Sequence, residues 1–213
     1  MKIPTPSAEV AQQVASKVVD WGVDGLGPMA SAIDVAEEHL RSCGGDREQA
    51  VQRLIATHRR IVAASGFATG LGGFITLPIT VPADLTVLYA YSARCTAAVA
   101  HLRGYDVQTE EVRSLVLLTL LGSSGAAVLS EAGVQVAQKS ALSALRKLPG
   151  ATLTKINQKV GFRLVTKFGE KGVINLHKFV PLAGAPVGAA VNVATMRTVA
   201  TYAQRNFPTV VPA

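Results

Sequence analysis

The chain has 213 residues, enough for one domain to bury its own core, which excludes a dependence on disulfides or structural metals. Apolar residues make up 49% of it and charged residues only 16%, a composition that excludes a strongly charged soluble domain and favours contact with lipid. Its two cysteines, Cys43 and Cys95, lack the neighbouring Cys or His residues of a zinc site, and we expect them to be reduced.

The positive charge is concentrated in the second half of the chain. Residues 1–110 carry 9 Lys and Arg against 11 Asp and Glu, whereas residues 111–213 carry 12 against 3. This asymmetry indicates an anionic partner, such as phospholipid, nucleic acid or an acidic protein. The apolar composition favours phospholipid among the three. Residues 1–13 show no apolar secretion-signal segment, so we expect a cytoplasmic protein.

Three ordinary amphipathic helices are predicted before residue 61. Thr5, as N-cap, predicts a first helix over residues 6–21. A second helix over residues 29–43 follows a glycine-rich break. Asp46 and Gln49 then form a D-x-x-Q capping box, which predicts the start of the third helix.

Residues 61–83 form an uncharged run of 23 residues that is long enough to span a bilayer. Three glycines and two prolines interrupt it, namely Gly70, Gly72, Gly73, Pro78 and Pro82. These residues would interrupt a helix and leave backbone N–H and C=O groups without hydrogen bonds, which lipid cannot provide. We therefore predict a helix that ends near the glycines, a tight apolar loop, and a new helix from Ala83 to about Arg103.

Two further uncharged runs follow. Thr109 predicts the start of a helix that enters the uncharged residues 114–130, and a helix that is apolar all round belongs in a core or a membrane. Another helix is predicted over residues 134–148, and the third uncharged run, 179–196, leads into a last helix that ends near residue 206. We therefore predict an all-α, single-domain bundle of about seven or eight helices, with the glycine-rich apolar runs as inner helices.

The helix predicted over residues 152–168 is amphipathic and basic. Its cations recur every four residues, at Lys155, Lys159, Arg163, Lys167 and Lys171. Such a stripe is typical of a helix lying on an anionic bilayer, where each cation contributes ~1 kcal/mol. The alternative is the solvated outer face of a bundle helix. Nucleic-acid binding is not favoured, because no aromatic residues are interleaved with the cations.

Four polar residues stand within or beside apolar runs: Asp84, Tyr91, Arg94 and Asn192. Burying such groups without partners is costly, so they are our candidate ligand-binding residues. In the alternative interpretation Asp84 caps its helix, Arg94 and Asn192 have internal partners, and none contacts a ligand.

The chain shows no catalytic motif, metal motif or cofactor motif. Its histidines, which we place at the surface or at helix interfaces, share no metal-ligand spacing: His39, His58, His101 and His177. The glycine-rich loop lacks the Gly-Lys-Ser/Thr ending of a phosphate-binding loop. Its Gly66/Gly70 pair, and the later Gly184/Gly188 pair, instead predict close packing between helices.

Two segments, residues 65–106 and 181–207, resemble the EcsC family of bacterial proteins, and the likeness covers roughly residues 50–207. The similar features are a glycine-rich segment, Pro-x-Asp-Leu at 82–85, Arg94, Gly-Tyr-Asp at 104–106, and Gly184, Gly188 and Asn192. The family is named for a protein encoded beside an ABC transporter. The resemblance implies a helical protein at the inner face of the membrane and supplies no catalytic residues.

We therefore expect an N-terminal helical extension over residues 1–45, an EcsC-like domain over 46–207 and a tail over 208–213. The expected function is non-enzymatic: a cytoplasmic, peripheral membrane protein that binds lipid or another apolar ligand in its bundle, with the basic face toward anionic lipid. One alternative is an interaction module or integral subunit that partners a membrane transporter. The other is an enzyme acting on a lipid, in which the four candidate residues converge in a pocket.

Overall fold

The computed structural model describes residues 7–71, 73–134, 141–176 and 184–209, with backbone alone at 69–71, 73–86, 167–176 and 184. Within those ranges the chain forms nine helices and no strand, which confirms the all-α prediction. The helices are α1 (Ala8–Asp24), α2 (Ala32–Ser42), α3 (Arg47–Leu71), α4 (Gly73–Leu102), α5 (Glu110–Leu120), α6 (Ser124–Glu131), α7 (Ala141–Leu145), α8 (Gly150–Leu176) and α9 (Gly184–Asn206).

Local capping signals determine several helix starts. Asp46 Oδ1 accepts a hydrogen bond from the Gln49 amide at 2.9 Å, as the capping box predicts. Helix α1 begins later than predicted, because Ser7 rather than the earlier threonine provides the side chain that accepts from the Val10 amide, at 3.3 Å. Thr5 itself lies outside the described residues.

The start of α4 contradicts the loop predicted before Ala83. Helix α4 begins at Gly73, ten residues earlier, and contains Pro78 and Pro82. A proline inside a helix removes one backbone hydrogen bond, but its fixed φ is itself helical. The prediction placed both prolines before the start of the new helix, whereas the chain is helical through both.

Helices α3 and α9 form an antiparallel pair. Gln52 Nε2 donates to Gln204 Oε1 at 3.3 Å, and further along α3 the Val62 carbonyl accepts from Asn192 Nδ2 at 3.1 Å. Still further along, an added Cβ at Gly66 would lie 2.5 Å from the carbonyl oxygen of Gly188. The partners move backward along α9 as α3 advances, so the two helices run in opposite directions. The close packing predicted for Gly66 and Gly188 is confirmed.

The uncharged runs differ in burial. Every residue of 114–121 is buried, so this part of the second run is an inner segment as expected. In contrast, Phe67 of α3 is 47% exposed and Val191 of α9 is 55% exposed. Around these two residues, the first and third runs bury one face and present the other at the surface.

Helix α8 packs its apolar face into the bundle, as the amphipathic pattern predicts. Four of its apolar residues are buried: Leu153, Ile156, Val160 and Leu164. On the same helix, Gly161 lies against the main chain of α1 at Ala11 and leaves no room for a Cβ. Three of its basic residues, Lys155, Lys159 and Arg163, are therefore turned toward the outside of the bundle or its rim.

Candidate functional site

A buried arginine in the C-terminal half of α4 organises the candidate site. Arg94 is 6% exposed, and its Nε donates to Nε2 of His58 on α3 at 3.1 Å. Its Nη1 donates to the carbonyl oxygen of Ala30, in the segment between α1 and α2, at 3.4 Å. Tyr91, one turn earlier on α4, lies with its ring 4.5 Å from the guanidinium carbon. Three separate contacts thus hold the guanidinium in one orientation.

His58 is a neutral acceptor in this arrangement. Its Nδ1 lies 2.9 Å from the carbonyl oxygen of Leu54, which can only accept, so the ring proton is on Nδ1 and Nε2 is free to accept from Arg94. Burial, followed by the charge of Arg94, lowers the pKa of His58 to about 3. The ring therefore stays uncharged at neutral pH, and all positive charge at the site belongs to Arg94.

No carboxylate neutralises Arg94 within the described residues. Two acids of the α1–α2 region have other partners: Asp24 is 2.7 Å from Arg113, and Asp34 accepts from Ser31 Oγ at 2.7 Å. Burial lowers the pKa of Arg94, the direction expected for a cation short of countercharge. Its Nη2 has no protein partner within the described residues.

The structure brings together two of the four predicted ligand-binding residues, Tyr91 and Arg94. Asn192 lies instead at the α3–α9 crossing, where its amide donates to the Val62 carbonyl. The side chain of Asp84 lies outside the described part, and its position in α4 is ten residues, about 15 Å of helix, from Arg94. Arg94 and Asn192 have the internal partners that the alternative interpretation required, and ligand binding by the four residues stays a prediction.

The basic stripe of α8 is partly paired within the protein. Lys159 Nζ lies 3.7 Å from one carboxylate oxygen of Glu131, and Arg163 binds the other oxygen. Lys155 is exposed and has no ion pair among the described residues. The side chains of Lys167 and Lys171 lie outside the described part. A membrane role for the stripe stays a prediction, and Glu131 offsets part of its charge.

A surface groove of about 440 Å³ lies at the end of the bundle where α4 finishes. It contains the pair His101 and Glu37, whose Nε2 and Oε1 atoms are 2.8 Å apart, and Arg47. None of the four predicted ligand-binding residues lines this groove. Sequence reasoning missed it because its walls come from α2, α3, α4 and the segment after α4.

Two exposed apolar side chains define an apolar end of the α3–α9 pair, opposite the groove. Phe67 and Val191 are exposed there, one on each helix, beside the crossing of Gly66 and Gly188. Arg60 is exposed on α3, seven residues before Phe67, and has no ion pair among the described residues. Residues seven apart lie on one helix face, about 10 Å apart along the axis. Helix α3 thus carries an exposed apolar residue, Phe67, and an exposed cation, Arg60, two turns earlier on the same face.

Two further properties of the described residues bear on function. No helix in them combines the length and hydropathy that a bilayer span requires. Nor do they contain a group of three or more His, Cys, Asp or Glu side chains placed to hold a metal ion.

The fold and the Arg94 site define an all-α helical bundle with a buried cation that has no carboxylate partner among the described residues. The chain matches the EcsC protein family over residues 34–209. Since this match covers most of the chain, the protein belongs to that family. The match begins within α2, upstream of the boundary predicted at residue 45, and that boundary stays a prediction. No curated protein and no solved structure matches the chain.

Proposed function

We propose that this protein is a non-enzymatic, peripheral membrane protein that binds lipid at the cytoplasmic face of the cell membrane. The observation that carries the proposal is the apolar end of the α3–α9 pair, where Phe67 and Val191 are 47% and 55% exposed. Both residues belong to uncharged runs of the sequence, 61–83 and 179–196. Large exposed apolar side chains at the end of a bundle are typical of surfaces that contact membranes or partner proteins.

The arrangement suits the interface of an anionic bilayer. Apolar side chains of interfacial helices enter about 5–10 Å into the boundary between head groups and acyl chains. Arg60, about 10 Å behind Phe67 on the same helix face, then lies at the level of the phosphates. The formal net charge of +7 attracts the protein to the negative surface of the inner leaflet.

The energies are those of reversible docking. Burying the remaining exposed half of Phe67 contributes about 1 kcal/mol, and Val191 contributes a similar amount. A cation near the anionic surface, such as Arg60, contributes ~1 kcal/mol. A total on the order of 3 kcal/mol favours a protein that moves on and off the membrane over one that is permanently inserted.

The geometry at Arg94 supports a binding role over catalysis. His58 is the obvious general base of the cluster, but its Nε2 accepts from Arg94 and its Nδ1 carries the proton bound to Leu54. A ring held in this way has no free site to take a proton from a substrate. The cluster is therefore proposed to bind, rather than to transform, a ligand.

The proposal is tested by sedimentation with vesicles of phosphatidylcholine, with and without phosphatidylglycerol. The double variant Phe67→Ser/Val191→Ser should bind the anionic vesicles about tenfold more weakly, from a loss of about 1–2 kcal/mol. The matched control is Val10→Ser, which changes an exposed valine of α1 and should bind as the wild type does. Equal binding by the double variant and the wild type would overturn the proposal.

Sedimentation with native membranes separates lipid docking from an interaction with a membrane protein. Both ideas place the apolar end of the α3–α9 pair at an interface. If the wild type sediments with native membranes and ignores protein-free vesicles, the partner is a protein and the lipid proposal is wrong.

A further inference from the structure

We propose that Arg94 is the anchor of a phosphate-binding site that opens between the α1–α2 segment and Tyr91. The inference does not depend on membrane docking, because it concerns a different part of the bundle and is tested without a membrane. The phosphate belongs either to a lipid head group or to a soluble phosphate compound. Both sources present the same group to the guanidinium.

The first step of the argument is the cost of the buried charge. Removing a guanidinium from water without a counterion costs several kcal/mol, so buried cations are ordinarily paired. Arg94 is 6% exposed, and its acceptors among the described residues are two neutral atoms, Nε2 of His58 and the carbonyl oxygen of Ala30. If the only role of this arginine were to join helices, a carboxylate partner would stabilise its buried charge better than two neutral acceptors do. The site is therefore completed by an anion.

The second step is the orientation of the free donors. A guanidinium carries five N–H groups, and Arg94 uses one on Nε and one on Nη1. Both N–H groups of Nη2, and one on Nη1, have no acceptor within the described residues. The N–H groups of a planar guanidinium can bind phosphate through two parallel hydrogen bonds, and these unused donors are available for that arrangement. Because His58, Ala30 and the ring of Tyr91 already fix the guanidinium, binding requires little further ordering.

The third step is access. Ala30 is exposed and Tyr91 is half-buried, so the guanidinium lies directly beneath the protein surface. The hydroxyl of Tyr91, on the ring that covers the guanidinium, has no hydrogen bond within the described residues and is a second donor at this opening.

The test uses inorganic phosphate and measures the Arg94 Nε–H resonance in protein labelled with ¹⁵N-arginine. That resonance is identified by its nuclear Overhauser contact with the ring of His58. Phosphate should shift it saturably, whereas chloride at the same ionic strength should not. The melting temperature of the wild type should rise over the same range of phosphate concentration.

Two variants and one control complete the test. Arg94→Met should weaken phosphate binding about tenfold or more, and Tyr91→Phe should weaken it less while keeping the ring over the guanidinium. Arg53→Met, which removes an exposed arginine that has no part in either proposed site, should bind phosphate as the wild type does. If Arg94→Met does not fold, Tyr91→Phe and the wild-type resonance still decide the question.

Vesicles of phosphatidylcholine with phosphatidic acid distinguish the two sources. A shift of the Arg94 resonance by inorganic phosphate supports a site for soluble phosphate compounds. A shift by phosphatidic acid vesicles alone supports the site with a lipid as its ligand. If neither probe moves the resonance, the inference is overturned, even if the apolar end binds vesicles.

Discussion

Arg103 donates from Nε and Nη2 to the two carboxylate oxygens of Glu48, at 3.0 and 2.9 Å. Its remaining nitrogen, Nη1, donates to the main-chain carbonyls of Gln204 and Phe207, at 2.9 and 2.8 Å. Carbonyls at the end of a helix have no partner within that helix. One side chain at the end of α4 therefore joins the start of α3 to the end of α9.

Arg103→Met should lower the free energy of unfolding by about 2–4 kcal/mol, because two main-chain carbonyls lose their donor. Urea denaturation followed by circular dichroism measures the change. The control is Arg53→Met, which removes an exposed arginine with a single bond to the Ser42 carbonyl and should cost less than about 0.5 kcal/mol. Equal effects of the two substitutions would show that Arg103 does not hold this end together.

Glu48 should make stability depend on pH in the acid range. Its hydrogen bonds with Arg103 hold the pKa of the Glu48 carboxyl below its ordinary value of 4.5. Because the folded-state pKa is lowered, the stabilisation is complete above about 4.5 and is lost as the pH falls through the folded value. The difference in unfolding free energy between the wild type and Glu48→Gln should therefore shrink as the solution is acidified. A difference that is constant from neutral to acid pH would contradict this.

The low pKa of His58 should also make the fold less stable on acidification, over a wider pH range. Burial, followed by the charge of Arg94, lowers the folded-state pKa of His58 from 6.5 to about 3. Between these values the unfolded chain binds the proton and the folded chain does not. Stability therefore falls with falling pH, by up to about 1.4 kcal/mol per pH unit.

His58→Gln should remove this component of the pH dependence, and His39→Gln should leave it in place. The ring nitrogen resonances of His58 give a second measurement. They should report a neutral ring with its proton on Nδ1 throughout the range above about pH 3. A His58 resonance that titrates near 6.5 would contradict the buried pairing with Arg94.

Close contacts at two glycines should make them intolerant of alanine. A Cβ at Gly66 would lie 2.5 Å from the carbonyl oxygen of Gly188, and a Cβ at Gly161 would overlap the carbonyl of Ala11. Gly66→Ala and Gly161→Ala should each lower the free energy of unfolding by about 1–3 kcal/mol, since main chain must shift. Gly150→Ala, at a position with open space around it, should be neutral or slightly stabilising. A tolerated alanine at Gly66 would contradict the α3–α9 crossing.

The features that could be predicted from the sequence are those that depend on residues close together in the chain. Asp46 and Gln49 are three residues apart, so their capping bond is visible as a pattern. The apolar face of α8 and the close packing at Gly66 and Gly188 were likewise predicted. The start of α4 was missed, because Pro78 is compatible with both a helix and a helix end.

The candidate site could be predicted only in part. Tyr91 and Arg94 are three residues apart and were recognised as polar residues in an apolar helix. Their partner His58 is 36 residues from Arg94, and the sequence offers no local signal for that pairing. Likewise, Glu131 pairs with Lys159 and Arg163 across separate helices, so the partial neutralisation of the basic stripe appears only in the fold.

The most direct test of membrane docking is the depth reached by residue 67 in a bilayer. The chain has one tryptophan, Trp21, so the double variant Trp21→Phe/Phe67→Trp reports from position 67 alone. Fluorescence should be quenched by phosphatidylglycerol-containing vesicles whose acyl chains are brominated, and Trp21→Phe/Val10→Trp should stay unquenched. Bound protein whose tryptophan at position 67 is not quenched would contradict lipid docking by the apolar end.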